Sequence, residues 1–517
     1  MATQKQIFLC YDLKGIQSFI FAVPRLRYIC GGSALLDVFD RETVPLLKCP
    51  GTVHIFSGGG KGAFTCESTQ ALNILQQELV KAAHADGMSI CFGVHEDYSE
   101  AAHLADRSFP YLPGPNELEG QPCPESGLYP TVDDSHPMIA KRIGDGDVRL
   151  DHRFEKDLLV GLTLPDARPS AQFEFFHDVS PDSKKGRIAS QALGDRNRWA
   201  IVTMDGNDIG AQHRDASSRW GKEPETFLKW LQAMSRALDE CSRHACRDAI
   251  QHIISLWVKE HSGDMQAGQK GAVTLPLRPL IVGGDDIVVL CRVEYAMEFV
   301  KLACQAFEER SAFKSEQAGK AGITLWPATN GRVTLTAGIL YAPISLPLAT
   351  AIPYAELILA SAKKKSREHK PGEAAPACVD WESVTEGLLI NPHTRRQGEM
   401  LFWDEDIQKT VQLTRRPYTL REMEDLLQLV EAYRKTPNTI RHQVLPHMKA
   451  GYWDRQVFTA RLGKNQERLA NDLGKGGSHL SPGGRWKHKE GKEWSIDVID
   501  ALLLLEEDSR MDWKTVI

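Results

Sequence analysis

Leu280-Ile281-Val282-Gly283-Gly284-Asp285-Asp286-Ile287-Val288-Val289-Leu290 is the stretch on which the reading of this chain turns. Two apolar runs, each short enough for a buried strand, flank a pair of glycines that permit a tight turn, so the segment is a β-hairpin. Its tip carries two adjacent carboxylates beside an apolar body. Negative charge concentrated there is costly unless a cation shares the site, and hard oxygen donors select Mg²⁺ or Mn²⁺.

A second hairpin of the same build lies far upstream, where residues 53–57 run into Gly58, Gly59, Gly60 and Lys61 and then into 63–66. The surroundings repeat as well. Apolar strand 7–11 ends at Asp12 and precedes a helical stretch around 33–47; strand 199–204 ends at Asp205 and precedes helical patterning over 225–259. Each hairpin is followed by a helix, 70–85 and 295–310, and then by a strand, 89–94 and 334–341. The order β-α-β-β-α-β thus occurs twice, an α+β architecture of two ferredoxin-like palms with helices on one face of each antiparallel sheet.

This divides the chain into four parts. Residues 1–109 are a first, degenerate palm, and 195–371 are a second palm with the Gly-Gly-Asp-Asp hairpin. Between them, 110–194 form an insert rich in Pro, Gly, Asp and Ser. Residues 372–517 are a mainly helical C-terminal domain, with helical periodicity at 420–434 and 496–507 and a Gly- and Lys-rich interruption at 474–492.

In a β-α-β-β unit the first strand lies beside the hairpin, so Asp205 reaches the ion held by Asp285 and Asp286, with Asp208 as a further candidate ligand. Carboxylates from neighbouring strand ends suit two-metal nucleotidyl transfer, in which one ion activates a ribose hydroxyl and the other screens the leaving pyrophosphate. The first hairpin lacks these acids. Gly58, Gly59 and Gly60 offer backbone N–H groups and Lys61 a positive charge, which suits a phosphate but equally an ordinary exposed turn. Helix 355–367 carries Lys363, Lys364, Lys365 and Arg367 near its end; they would neutralise a triphosphate, or simply answer the helix dipole.

These segments resemble a known family. Tyr11-Asp12-Leu13-Lys14-Gly15-Ile16-Gln17-Ser18-Phe19-Ile20-Phe21, Gly31-Gly32-Ser33-Ala34-Leu35-Leu36, the Asp205-Gly206-Asn207-Asp208-Ile209-Gly210 turn and the Gly283–Asp286 hairpin occur in the order found in the Cas-ten family, the large polymerase-cyclase subunit of type III CRISPR effector complexes. The resemblance covers residues 5–100 and 195–370. It implies facing palms that bind ATP and join it into cyclic oligoadenylate messengers when target RNA pairs with guide RNA, within a multi-subunit effector complex. It further implies that Gly283 and Gly284 approach the nucleotide and that Ala362, Lys363 and Arg367 touch phosphates, although Ser366 stands where a glycine is usual. Two departures follow from the sequence: the palm starts almost at Met1, so the HD nuclease of many members is expected to be absent, and the paired-cysteine zinc site is missing. His177-Asp178 has no recognisable companion ligands. The alternatives to a cyclase are a non-catalytic scaffold subunit and a free-standing GGDEF-like cyclase.

Composition bounds the rest. At 517 residues, with 42% hydrophobic and 25% charged side chains, the chain is globular and multidomain. A net charge of −6 supplies no global field to hold bare nucleic acid. No stretch is apolar enough to cross a bilayer and residues 1–7 have no apolar signal core, so a cytoplasmic location is expected. The 11 cysteines are scattered singly, without a CxxC pair, which suits buried reduced thiols; Cys123, in a Pro-rich loop, has no nearby metal partners.

Overall fold

The computed structural model describes residues 7–21, 26–111, 131–133, 136–137, 173–174, 198–221, 223–260, 273–329, 331–385, 389–405, 408–450, 452–462, 468–469, 473, 485–487 and 493–505. In the first repeat, β1 (Ile7–Lys14), β2 (Thr52–Gly58), β3 (Lys61–Cys66) and β4 (Ser89–His95) form an antiparallel sheet in the order β2-β3-β1-β4. In the second, β5 (Arg198–Gly206), β6 (Leu277–Gly283), β7 (Asp286–Cys291) and β8 (Leu335–Pro343) take the same order, β6-β7-β5-β8. Both are ferredoxin-like α+β units, as the repeat in the sequence requires.

The correspondence extends to register. Gly58 pairs with Lys61 as Gly283 pairs with Asp286, and both hairpins shift register at the same point, between His54 and Phe56 and between Pro279 and Ile281. Gly60 therefore stands where the second repeat has Asp285, and Lys61 where it has Asp286.

Helices α1 (Leu26–Val38) and α2 (Thr69–Ala85) belong to the first repeat; α3 (Ile209–Trp220), α4 (Pro224–Glu260), α5 (Ala296–Lys320) and α6 (Leu348–Ser366) belong to the second. Two of them begin before the expected positions. The helix expected at 33–47 starts at Leu26 because Gly31 and Gly32 lie inside it: a Cβ on Gly32 would come 3.2 Å from Ile20 Cα, so close packing outweighs the poor helix propensity of glycine. The helix expected at 355–367 starts at Leu348 and runs through Pro353.

The expectation of helices on one face of each sheet needs correction for both repeats. In the first, the helix Tyr98–Arg107 packs Ala101 and Ala105 against the Phe8 and Cys10 face, opposite Leu72, Leu75 and Leu79 of α2. In the second, Val202, Met204, Ile287 and Val289 face α4 and α5, while Trp199, Ile201, Val288 and Leu290 share a second core with α6 and with Leu9, Tyr11 and Phe64 of the first repeat. The reason is in the sequence: strands buried on both faces read as continuous apolar runs, as 199–204 and 287–290 do, instead of alternating.

The second sheet also continues past residue 371. Strand β9 (Cys378–Ser383) pairs in parallel with β8, and β10 (Tyr418–Thr419) pairs with β9. Helix α7 (Pro392–Met400) follows β9, and α8 (Leu420–Tyr433) starts at a capping box in which Thr419 Oγ1 accepts from the Glu422 N–H (3.3 Å) and Glu422 Oε2 from the Thr419 N–H (2.8 Å).

Of residues 110–194 the described parts are few: Thr131–Asp133 pairs with His136–Pro137, and Phe173–Glu174 with Val273–Thr274. Cys123, His177-Asp178 and most of 474–492 lie outside the described residues. The described cysteines are free and buried, and no helix among the described residues is long and apolar enough to cross a membrane.

Candidate functional site

Three carboxylates meet at the ends of β5, β6 and β7. Antiparallel pairing of Ile287 with Met204 brings the following residue of β5, Asp205, beside the preceding residue of β7, Asp286. Asp285 occupies the turn after Gly284, whose φ of 59° is the left-handed conformation that glycine adopts without strain. Gly206 lies directly behind Asp285. A Cβ at 206 would come 2.7 Å from Asp285 Cβ, so only glycine lets the two strand ends approach this closely.

The acids feel one another. Burial first, then Asp286 and Asp205, holds the Asp285 carboxyl well above its usual pKa. Asp286 keeps part of its surface open to the cleft, yet its surroundings and then Asp205 push its pKa up to about 7. Such mutual opposition to ionisation marks negative charge that the protein only partly compensates.

Part of the compensation comes from Lys363. Its buried ammonium lies 2.7 Å from Asp205 Oδ2 and also donates to the Gly206 carbonyl. The basic run read near the end of α6 does not act together. Lys363 turns inward and Arg367 is exposed at the helix end, whereas Lys364 and Lys365 line a different hollow.

Asp208 starts α3 with a φ of 60°, and its Oδ2 lies 3.1 Å from His369 Nε2. Among the described residues no three His, Cys, Asp or Glu side chains are already arranged as an ion cage. Asp205, Asp285 and Asp286 nevertheless fit a hard divalent ion as donors: all are carboxylates, and the two on the hairpin resist ionisation because burial and then their acidic neighbours oppose it.

The first repeat forms the facing wall. A cavity of about 950 Å³ is lined by Gly58, Gly59 and Lys61 on one side and Gly283, Gly284 and Asp285 on the other. A smaller one, about 260 Å³, connects Gly59 and Asp40 with Asp286 and Glu356. Lys61 is close enough to Asp286 to favour its ionised form. The two hairpin tips thus look at each other across a cleft.

Several residues here were not anticipated from sequence. Asp40 is buried and accepts from the Gly60 N–H (2.8 Å) and the Tyr11 hydroxyl (3.2 Å), anchoring the first tip; burial pushes its pKa up to about 7. Ser242 of α4 does the corresponding work for the second tip, donating to the Gly284 carbonyl at 2.6 Å. Asn207 fastens the turn after Asp205 through Thr334 and Thr336 (2.8 and 3.0 Å). Glu356 stands on the same face of α6 as Lys363, seven residues earlier, a helical spacing that was available to be read.

Residues 198–370, which contain all three acids and Lys363, match the family model described as Cas10/Cmr2, second palm domain. This segment is similar to the Cas10/Cmr2 second palm domain. Solved structures similar to the chain include Csm1 in T.onnurineus, at 12% identity and a TM-score of 0.43. Others are Csm1-Csm4 cassettes in complex with pppApA (13% identity, TM-score 0.47) and with cA4 (14% identity, TM-score 0.44). Each similarity covers 98% of this chain and 70% of the other. No curated protein matches. The acid-bearing hairpin, the Asp205 turn and the lysine helix all fall inside the matched segment.

Proposed function

We propose that this chain is a metal-dependent nucleotidyltransferase that joins ATP into cyclic oligoadenylates, acting as the large subunit of a type III CRISPR effector complex with guide and target RNA. The observation that carries the reading is the convergence of Asp205, Asp285 and Asp286, with Lys363, inside the matched palm. Asp205, Asp285 and Asp286 would hold Mg²⁺ or Mn²⁺, which when bound would supply positive charge for activating a ribose hydroxyl and screening a pyrophosphate leaving group.

The chain's own residues divide the remaining work. Gly206 and Ser242 hold Asp285 and the turn before it in place. Lys363 pairs with Asp205 and fixes its direction. Across the cleft, the Gly58–Gly60 turn and Lys61 bind phosphate, and Arg367 at the end of α6 meets phosphate from the solvent side. Facing walls from two repeats hold two nucleotides against each other, which converts an encounter in solution into a step between oriented neighbours.

A scaffold without catalysis is the second reading, and one observation favours it: Lys363 already neutralises Asp205. The purified assembly, incubated with labelled ATP, Mg²⁺, guide and target RNA, separates the two. Cyclic product that disappears in the Asp285→Ala/Asp286→Ala variant supports the enzyme. Product that persists in that variant, or no oligonucleotide from the unmodified assembly, refutes it. Product formed without target RNA points to a free-standing cyclase.

A further inference from the structure

The hollow that receives Lys364 and Lys365 shares no lining residue with either cavity between the repeats. It measures about 480 Å³ and lies between the end of α6, helix α7 and the segment leading into β10. Five cationic side chains line it, Lys364, Lys365, Arg396, Arg415 and Arg416, together with His393 in the first turn of α7; Glu368 is the single acid among its lining residues.

The charges are layered. Behind the cations stand carboxylates: Arg396 holds buried Asp380 at 2.7 Å and also pairs with buried Glu382, and Arg415 holds buried Asp497 and half-buried Glu422 at 2.7 Å each. Arg416 stands 3.7 Å from Glu382 and 3.8 Å from buried Asp500. Asp380 and Asp497 are 0% and 4% exposed. Lys365 is fixed by Glu422 and by the Pro417 carbonyl. Acids beneath and cations above leave the hollow facing the positive side of the network, with side chains held by their ion pairs before any ligand arrives. Arg415 and Arg416 are also braced over the rings of Tyr418 and Trp381. Lys364 adds charge that is not spent in this way: it is exposed and forms no ion pair among the described residues.

We propose that this hollow is a binding site for a compact polyphosphate anion, the phosphate end of a nucleotide being the chemical class. Fixed guanidinium and ammonium groups are the matching partners for phosphate oxygens. The first turn of α7 adds its amide dipoles to the same side. A hollow walled by several chain segments, of a volume suited to one small molecule, fits a single ligand better than a passing strand. Bases have no stacking platform here, because Trp381 and Tyr418 are buried under the arginines.

The test uses the full chain, inorganic tripolyphosphate as probe and no divalent metal, read by titration calorimetry. Lys364→Glu/Gln397→Glu/Gln412→Glu places three acids on exposed lining positions and leaves every buried ion pair intact. Affinity should fall at least about tenfold with an unchanged melting temperature. Should that variant fold poorly, Lys364→Ala alone should weaken binding about threefold or more. Lys229→Glu, exposed on α4 and lining none of these cavities, should retain the binding. Unaltered affinity in the pocket variants, or an equal loss in Lys229→Glu, overturns the assignment. So does a twelve-residue single-stranded RNA whose binding, unlike that of tripolyphosphate, is lost in the pocket variant.

Discussion

Replacing Gly206 by alanine tests whether the acid cluster depends on close packing behind Asp285. The new Cβ would lie 2.7 Å from Asp285 Cβ and 2.9 Å from Ile209 Cγ1. Carbon atoms settle at about 3.5–4.0 Å, so roughly 1 Å of overlap must be absorbed by the turn or by the hairpin. Overpacking of this kind costs about 1–3 kcal/mol. For a palm of this size each kcal/mol moves the melting temperature by about 2–4 °C, so Gly206→Ala should melt about 2–12 °C lower. Gly283 provides the control on the same hairpin. A Cβ there meets nothing within 4 Å, and its φ is outside the left-handed region, so Gly283→Ala should melt within about 1 °C of the unmodified protein. Thermal melts of the metal-free protein, followed by circular dichroism at fixed ionic strength, read both. Equal melting of the two variants, or the reverse order, would refute the packing argument.

Asp40 makes the fold sensitive to pH. Its folded pKa, about 7, lies above the unfolded value, so the folded state holds the extra proton and stability falls as pH rises from about 4 through 7. The effect is at most about 4 kcal/mol. Asp40→Asn keeps an acceptor for the Gly60 N–H and should flatten that decline between pH 5 and 8; an unchanged slope in urea unfolding would contradict it. Ser242→Ala should cost about 1–2 kcal/mol and speed hydrogen exchange of amides at the hairpin tip, because the Gly284 carbonyl loses its buried donor. Exchange at the unmodified rate would remove Ser242 from its anchoring role.

Much of this was legible from residues alone. Glycine pairs bounded by apolar runs fix a hairpin locally, and its recurrence with the same flanking elements fixed the topology of both sheets. That Asp205 lies beside Asp286 was legible because strand order alone brings the two together. Partners from distant segments were not legible. Asp40 and Ser242 reach the tips from helices, and neither residue type announces such a task. The basic run of α6 was misread as one cluster because neighbouring positions on a helix point about a quarter turn apart: Lys363 faces the acids while Lys364 looks toward the other hollow. The extension of the second sheet by β9 and β10 was hidden too, since short strands joined by long excursions carry little local pattern.

The mixing of Leu9, Tyr11 and Phe64 with Trp199, Val288 and Leu290 in one core has a mechanical consequence. The halves of this molecule cannot hinge apart to admit a ligand without wetting oil-like surface. Relative movement is instead confined to shear, side chains sliding past one another by small steps. Regulation from outside would therefore act on the facing tips by offset and not by distance.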